Sequence, residues 1–234
     1  MFFLNKDHSR LLMVRVWVSL LVVLLLCLVC MVYIDRQVLL LVHHELPVRW
    51  QIVFNRITQL GEGYIWLSAS GGAAAGGYLL RRQGKTQELR QLGESFYRKG
   101  LFVFLSIIFS GVLLNIFKTM IGRLRPRFFL ADSTYGFQPF NFDFGMNSFP
   151  SGHSQTIWAL MVSLALLYPR LTIPFVSFAA LVAASRVLVA AHYVSDVLMG
   201  SYLGTILTLY LYTRFIKKGY LPRKQTTASP QNLS

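Results

Sequence analysis

Charge is scarce in this chain. Asp, Glu, Lys and Arg make up 14% of its 234 residues, where a water-soluble domain carries about a quarter. With 54% hydrophobic residues, that deficit points to a membrane protein. Acidic residues are scarcest, 9 against 23 Lys and Arg, for a net charge of +14. In a soluble protein that excess would suggest a nucleic-acid partner. Here the basic residues mostly flank apolar runs, which suits membrane topology and lipid headgroups, so no nucleic acid is expected. Only two cysteines occur, Cys27 and Cys30, both inside the first apolar run. They imply no disulfide framework, and with no acid or histidine close by their C-x-x-C spacing reads as packing before redox or metal chemistry. There is no solenoid-type repeat.

What the chain does have is apolar runs of spanning length. Val16–Ile34 follows Lys6, Arg10 and Arg15 and is about as long as a bilayer crossing requires. It is long for the apolar region of a signal peptide and lacks a small-x-small cleavage site, so it is expected to be a retained first span. Residues 35–62 mix charged and apolar positions at helical spacing, as in an amphipathic segment on the membrane surface, and the adjacent His43 and His44 suit that setting better than a metal. Residues 64–80 carry no charge and are rich in Gly and Ala. Gly72 and Gly76, in G-x-x-x-G spacing, predict a close helix contact. A basic connection over 81–99 precedes an apolar run at 100–117, and three more apolar runs occupy 153–168, 171–191 and 193–215.

The expected fold is therefore all-α, a six-transmembrane-helix bundle forming one domain over 1–216, with a basic, disordered tail at 217–234. With the N-terminus inside, 15 of the 23 Lys and Arg fall on the inner side and 8 on the outer side. That satisfies the positive-inside rule, with both termini cytoplasmic.

Three polar clusters interrupt this pattern between 118 and 196, and polar groups at membrane depth are costly and usually functional. In that topology all three lie on the non-cytoplasmic face. Lys118 and Arg125 are seven residues apart, about 20° around a helix, and can serve one site, although basic side chains at span ends also simply snorkel. Pro126 limits how far that helix continues. Pro150-Ser151-Gly152-His153 opens an apolar helix. Free N–H groups there, with Gly152 admitting close approach and Ser151 adding a donor, make an anion site; ordinary capping by Ser151 is the alternative. His192 and Asp196, four apart, suit a carboxylate that fixes an imidazole tautomer. Arg186 and His192 are six apart and would diverge on an unbroken helix, so a break near Ala190 to His192 is predicted. A metal on His153, His192 and Asp196 is disfavoured, because Lys118, Arg125 and Arg186 would repel it. The same cations suit a phosphoryl group.

Lys118-x6-Arg125-Pro126, Pro150-Ser151-Gly152-His153 and Ser185-Arg186-x5-His192-x3-Asp196 together resemble the three-part signature of the type 2 phosphatidic acid phosphatase superfamily. The resemblance covers about 100–210 and implies a metal-independent lipid phosphatase with no cofactor. It assigns His192 as the nucleophile, oriented by Asp196, and His153 as the general acid. Lys118, Arg125, Ser151, Gly152 and Arg186 would bind phosphate, while Arg123 and Arg127, outside the signature, would touch headgroups. The compact size resembles bacterial members acting on phosphatidic acid, phosphatidylglycerol phosphate, undecaprenyl pyrophosphate or lipid A phosphates, in the inner membrane with the site outside. The stretch from Arg125 through Tyr135-Gly136-Phe137 to Ser148-Phe149-Pro150 is similar to lipid A phosphatases. Phe128, Phe129, Phe137, Phe140, Phe142, Phe144 and Phe149 suit either the bilayer interface or a folded cap. Two alternatives stand beside hydrolysis: lipid-to-lipid phosphotransfer, and a non-enzymatic protein that only binds anionic lipid.

Overall fold

The computed structural model describes residues 6–221. The tail expected to be disordered lies, beyond Leu221, outside the described residues. Among those described, the chain is almost entirely helical, with no strand and two isolated bridges, Arg123 to Phe137 and Leu124 to Asn147.

The first helix, α1 (Lys6–Val29), passes through a wide turn (Cys30–Ile34) into α2 (Asp35–Glu45) without a break in direction. The N–H of Asp35 donates to the carbonyl of Cys30, five residues back. That one extra residue in the turn resets the buried face. Cys27 and Asp35, eight apart, would stand about 80° apart on a regular helix; the wide turn brings them within about 20°. Cys27, Cys30, Asp35, Leu39 and Val42 are accordingly all buried, whereas Leu21, Leu25, Leu28 and Val32 face outward. The first apolar helix thus continues to Glu45 instead of ending at Ile34. Residues 35–59 are not a purely surface segment, because α2 and then α3 (Val48–Gln59) deliver Asp35 and Thr58 to the interior.

A tight hairpin follows. α4 (Gly63–Gln83) turns at Gly84 into α5 (Gln87–Ile121), whose N-cap Thr86 accepts the Leu89 N–H at 3.2 Å. The basic connection is therefore short, and residues 87–99 are helix. Glu94 ties its base together, with Arg81 at 2.7 Å and Arg98 on its other oxygen. The glycines that make this contact are not those of the G-x-x-x-G spacing. A methyl group on Gly77 would lie 2.3 Å from the Tyr97 nitrogen, and one on Gly93 2.3 Å from the Arg81 nitrogen, whereas Gly72 and Gly76 face open space. The close-packing surface is Gly77 against Gly93, followed by Ala74 against Gly100.

Gly122 ends α5 in the left-handed conformation. A loop holding the short α6 (Pro126–Asp132) leads to α7 (Gly152–Leu167), α8 (Thr172–Leu188) and α9 (Val194–Lys217). One core joins Val103 and Ile107 of α5, Ile157 and Leu160 of α7, and Ala179 and Val182 of α8. A second joins Cys27, Leu114, Phe149, Met199 and Leu203. α7 and α9 touch backbone to backbone, because Gly200 and Gly204 leave room for the carbonyls of Ser151 and Gln155.

Among the described residues, four helical segments are long and apolar enough to cross a membrane: Met13–Glu45, Gln87–Ile121, Pro169–Leu188 and Val194–Lys217. α4, diluted by glycine and alanine, and α7, at 16 residues, fall short of that measure. α4 turns Tyr64, Ile65 and Leu79 outward, whereas α7 exposes no side chain and is enclosed by its neighbours.

Candidate active site

Each of the three polar clusters sits where a helix starts or stops. Lys118 lies in the last turn of α5, its side chain buried. Arg125 is not on the same helix, as its spacing from Lys118 had suggested. The left-handed Gly122 reverses the chain, and Arg125 becomes the N-cap of α6 with Pro126 at its first position. Its Nε donates to the Asn147 carbonyl at 3.2 Å and its Nη2 to the Phe144 carbonyl at 3.2 Å, so the aromatic loop aims it. Burial, with Arg127 beside it, pushes Arg125 below the ordinary guanidinium range.

Ser151 caps α7. Its buried hydroxyl accepts the Ser154 hydroxyl at 3.0 Å and its N–H donates to the Asp196 carbonyl at 2.9 Å. Capping and docking are thus what Ser151 visibly does. A methyl group on Gly152 would meet nothing, so the first turn of α7 opens onto free space. His153 follows, closely covered by Gly61 in the α3–α4 turn, where even a methyl group would come within 3.0 Å of the His153 Cβ. A cavity of about 310 Å³ beside it is lined in part by Gly63, Asn115 and Thr156.

The predicted break between Arg186 and His192 is present. α8 ends at Leu188, Ala190 adopts a positive φ of 52°, and the N–H groups of Ala191 and His192 fold back onto the Arg186 carbonyl. One Arg186 nitrogen donates to Thr58 at 2.6 Å, while its Nε is buried without a partner. The ammonium of Lys118 makes no hydrogen bond to the described residues. Lys118, Arg125, Arg186 and His192 all lie near enough to His153 to act on it electrostatically. The two ends of the signature therefore meet, with donor capacity to spare.

His192 and Asp196 do not share a helix face. His192 precedes the α9 cap, and Asp196 in the first turn reaches back so that its Oδ2 accepts the Tyr193 N–H at 2.9 Å. The same oxygen is 3.4 Å from His192 Nδ1. Between the two sits Ser148, to which the sequence assigned no role, whose hydroxyl lies 3.3 Å from Nδ1 and donates to Asp196 Oδ2. Nδ1 is thereby occupied and Nε2 is the nitrogen left for chemistry. Burial drives the His192 imidazole down to about 3, against the opposing pull of Asp196 and with help from Lys118 and Arg186, so it is neutral at pH 7.

Arg123 does not touch headgroups. It is 1% exposed and paired with Asp196 at 2.6 Å and Asp35 at 2.8 Å. Burial disfavours its charge, but Asp196 and Asp35 outweigh that and hold the guanidinium above its ordinary range. Asp35, Thr58 and Ser148 were also missed; a lone carboxylate at the end of an apolar run was the one available signal for Asp35. On the loop, Phe137, Phe140, Phe142 and Phe144 are exposed while Phe149 is buried, which favours an interfacial role over a closed cap.

Residues 99–220 match the model of the PAP2 superfamily. Two relatives named lipid A 1-phosphatase are similar to the chain: that of Rhizobium etli is 41% identical over 118 residues, 49% of this chain and 51% of that protein. That of Rhizobium johnstonii is 39% identical over 122 residues, 52% and 50% respectively. The chain thus spans about half the length of the curated relatives it matches. Among solved structures, a transmembrane PAP2 type phosphatidylglycerolphosphate phosphatase from Bacillus subtilis superposes with a TM-score of 0.60 at 24% identity, over 84% of this chain and 96% of that one. Aquifex aeolicus LpxE gives 0.55 at 19% identity, over 77% and 95%. These two likenesses speak for the fold, and the family match carries the assignment: over half its length, through all three polar clusters, the chain belongs to the PAP2 superfamily.

Proposed function

We propose that this protein hydrolyses the phosphate or pyrophosphate of a membrane lipid through a phosphohistidine on His192. One observation carries the reading: three cations with unused donors converge on two histidines, one of which has only Nε2 free. A phosphoryl group spreads negative charge over its outer oxygens, and Lys118, Arg125 and Arg186, with the Gly152 N–H at the start of α7 and the Ser151 hydroxyl beside it, suit those oxygens. Nε2 of His192 attacks phosphorus as the bond to the lipid oxygen breaks. Burial and the three cations disfavour a charged His153; the negative charge of the bound phosphate offsets them, and the protonated His153 gives its proton to the leaving oxygen beside the cavity. A water molecule then loses a proton to His153 and cleaves the phosphorus–nitrogen bond, releasing phosphate.

The apolar helices and the exposed phenylalanines support a lipid carrier. In this reading α4 and α7 complete a six-span bundle, with both termini cytoplasmic and the site on the outer face of a bacterial inner membrane. Lipid A bearing a 1-phosphate is the first substrate to try, given the names of the relatives. Purified protein in EDTA should release phosphate from at least one of diacyl, isoprenyl and lipid A phosphates, and His192→Ala should abolish it. Label recovered in an acceptor lipid instead of free phosphate would make the protein a phosphotransferase. Binding of the lipids with no turnover would make it a lipid-binding protein.

A further inference from the structure

We infer that Asp35 and Arg123, neither of them part of the signature, form with Asp196 a buried ion-pair chain that positions His192 and sets the charge behind it. The inference rests on His192 being the nucleophile. Both terminal nitrogens of Arg123 are committed, while its Nε is buried without a partner. Nη1 donates to Asp196 Oδ1 and to the Ser195 hydroxyl, both at 2.6 Å; Nη2 donates to Asp35 Oδ2 at 2.8 Å and to the Tyr135 hydroxyl at 2.6 Å. Tyr135 in turn donates to the Met31 carbonyl at 3.1 Å, anchoring the assembly to the wide turn. Asp35 accepts the Ser195 N–H at 3.0 Å and its hydroxyl at 2.5 Å. Asp196 is consequently held on both oxygens: Oδ1 by Arg123, Oδ2 by Ser148 and Tyr193. An unbroken α1–α2 helix would turn Asp35 out of this position, and wide turns of this kind recur at functional sites.

The charge count gives the chain its purpose. When Nε2 bonds to phosphorus the imidazole becomes positive, and a net negative charge behind Nδ1 favours that state. Arg123 alone would cancel Asp196. With Asp35 the three groups sum to one negative charge, presented to the imidazole through Asp196 and Ser148. Other charged or titratable groups facing His192 are Lys118 from α5, Arg186 from α8 and His153 from α7. Asp35 and Arg123 act through Asp196 and are positioning residues.

Asp35→Asn leaves the remaining pair neutral, Arg123→Gln leaves two negative charges, and the double variant restores one. Phosphate release from lipid phosphate and an NMR titration of the His192 imidazole, on folded protein in detergent, read these states separately. Asp35→Asn should lower kcat about tenfold or more with little change in KM. Arg123→Gln should raise the His192 titration by about one pH unit or more. The double variant should recover activity relative to Asp35→Asn, whereas a purely structural role gives additive losses. Where Arg123→Gln does not fold, Ser195→Ala, which removes the hydroxyl shared by Arg123 and Asp35 but no charge, should lose much less kcat than Asp35→Asn; an equal loss overturns the charge argument. A wild-type kcat in Asp35→Asn, or an unmoved His192 titration in folded Arg123→Gln, overturns the inference. Expected titrations in a protein that never releases phosphate would leave the ion-pair chain standing and overturn the reading of function.

Discussion

Gly200→Ala is the smallest change that should disable the site without replacing any residue proposed to act in it. The added methyl carbon would stand 2.3 Å from the Ser151 carbonyl oxygen and 3.2 Å from its carbon. Ordinary contact needs roughly 1 Å more, and neither backbone has a rotamer with which to give way. α9 must therefore retreat from α7 by about that distance. Asp196 lies one turn before Gly200, and its carbonyl accepts the Ser151 N–H at 2.9 Å, so the retreat separates the phosphate-binding helix start from the His192–Asp196 pair. Overpacking of this kind costs about 1–3 kcal/mol of stability, and a 1 Å misplacement of reacting groups costs on the order of 100-fold in rate. Phosphate release by purified variant, with a thermal midpoint measured alongside, should show kcat down by about that factor in protein that remains folded at the assay temperature. Gly72→Ala, which meets nothing, is the control. Full activity in Gly200→Ala would refute the claim that contact between α7 and α9 sets the site's geometry.

Other expectations follow from the same contacts. Gly77→Ala should cost about 1–3 kcal/mol, read as a lower thermal midpoint, because it drives α4 into the Tyr97 backbone, whereas Gly76→Ala should cost nothing. Thr58→Val removes the one described partner of the Arg186 guanidinium, and should raise KM for lipid phosphate about tenfold, the lower end of the roughly 1.5–3 kcal/mol of a charged hydrogen bond. For pH, His192 titrates near 3 in the folded protein against about 6.5 when unfolded. It therefore stays neutral and nucleophilic down through pH 5, and kcat/KM should show no acid limb from this group until pH approaches 3. The same depression means that its contribution to stability is fully present above 6.5 and is lost as pH falls from 6.5 toward 3. A His192 imidazole NMR titration centred near 6.5 in the folded protein would contradict this.

Hydrophobic run length and charge scarcity were enough to place α4, α7, α8 and α9 to within a few residues, since a helix packed in a bilayer has little freedom in composition. α5 begins thirteen residues earlier than its apolar run, because its first turns are polar and pack on α4. The break after Arg186 was legible because helical angle alone forbids Arg186 and His192 from converging. The partners of those residues were not legible. Lys118 and Arg125 meet through a left-handed Gly122 and a loop, not through shared helical phase. His192 meets Asp196 through a helix cap and Ser148. Asp35 reaches Arg123 only because one wide turn shifts the phase of α1, and no residue pattern announces an extra residue in a turn. The small-residue spacing misled for a similar reason: Gly72 and Gly76 share a face, but the partner glycines that fix which face packs lie on α5.

The phosphohistidine is the central claim, and trapping it is the direct test. Purified protein mixed with a lipid phosphate labelled on phosphorus and quenched in alkali within its first turnover should carry label that is stable to base, lost in acid, and located on the peptide containing His192. His192→Ala should carry none and release no phosphate. Label on another residue, or phosphate released at the wild-type rate by His192→Ala, would contradict the mechanism.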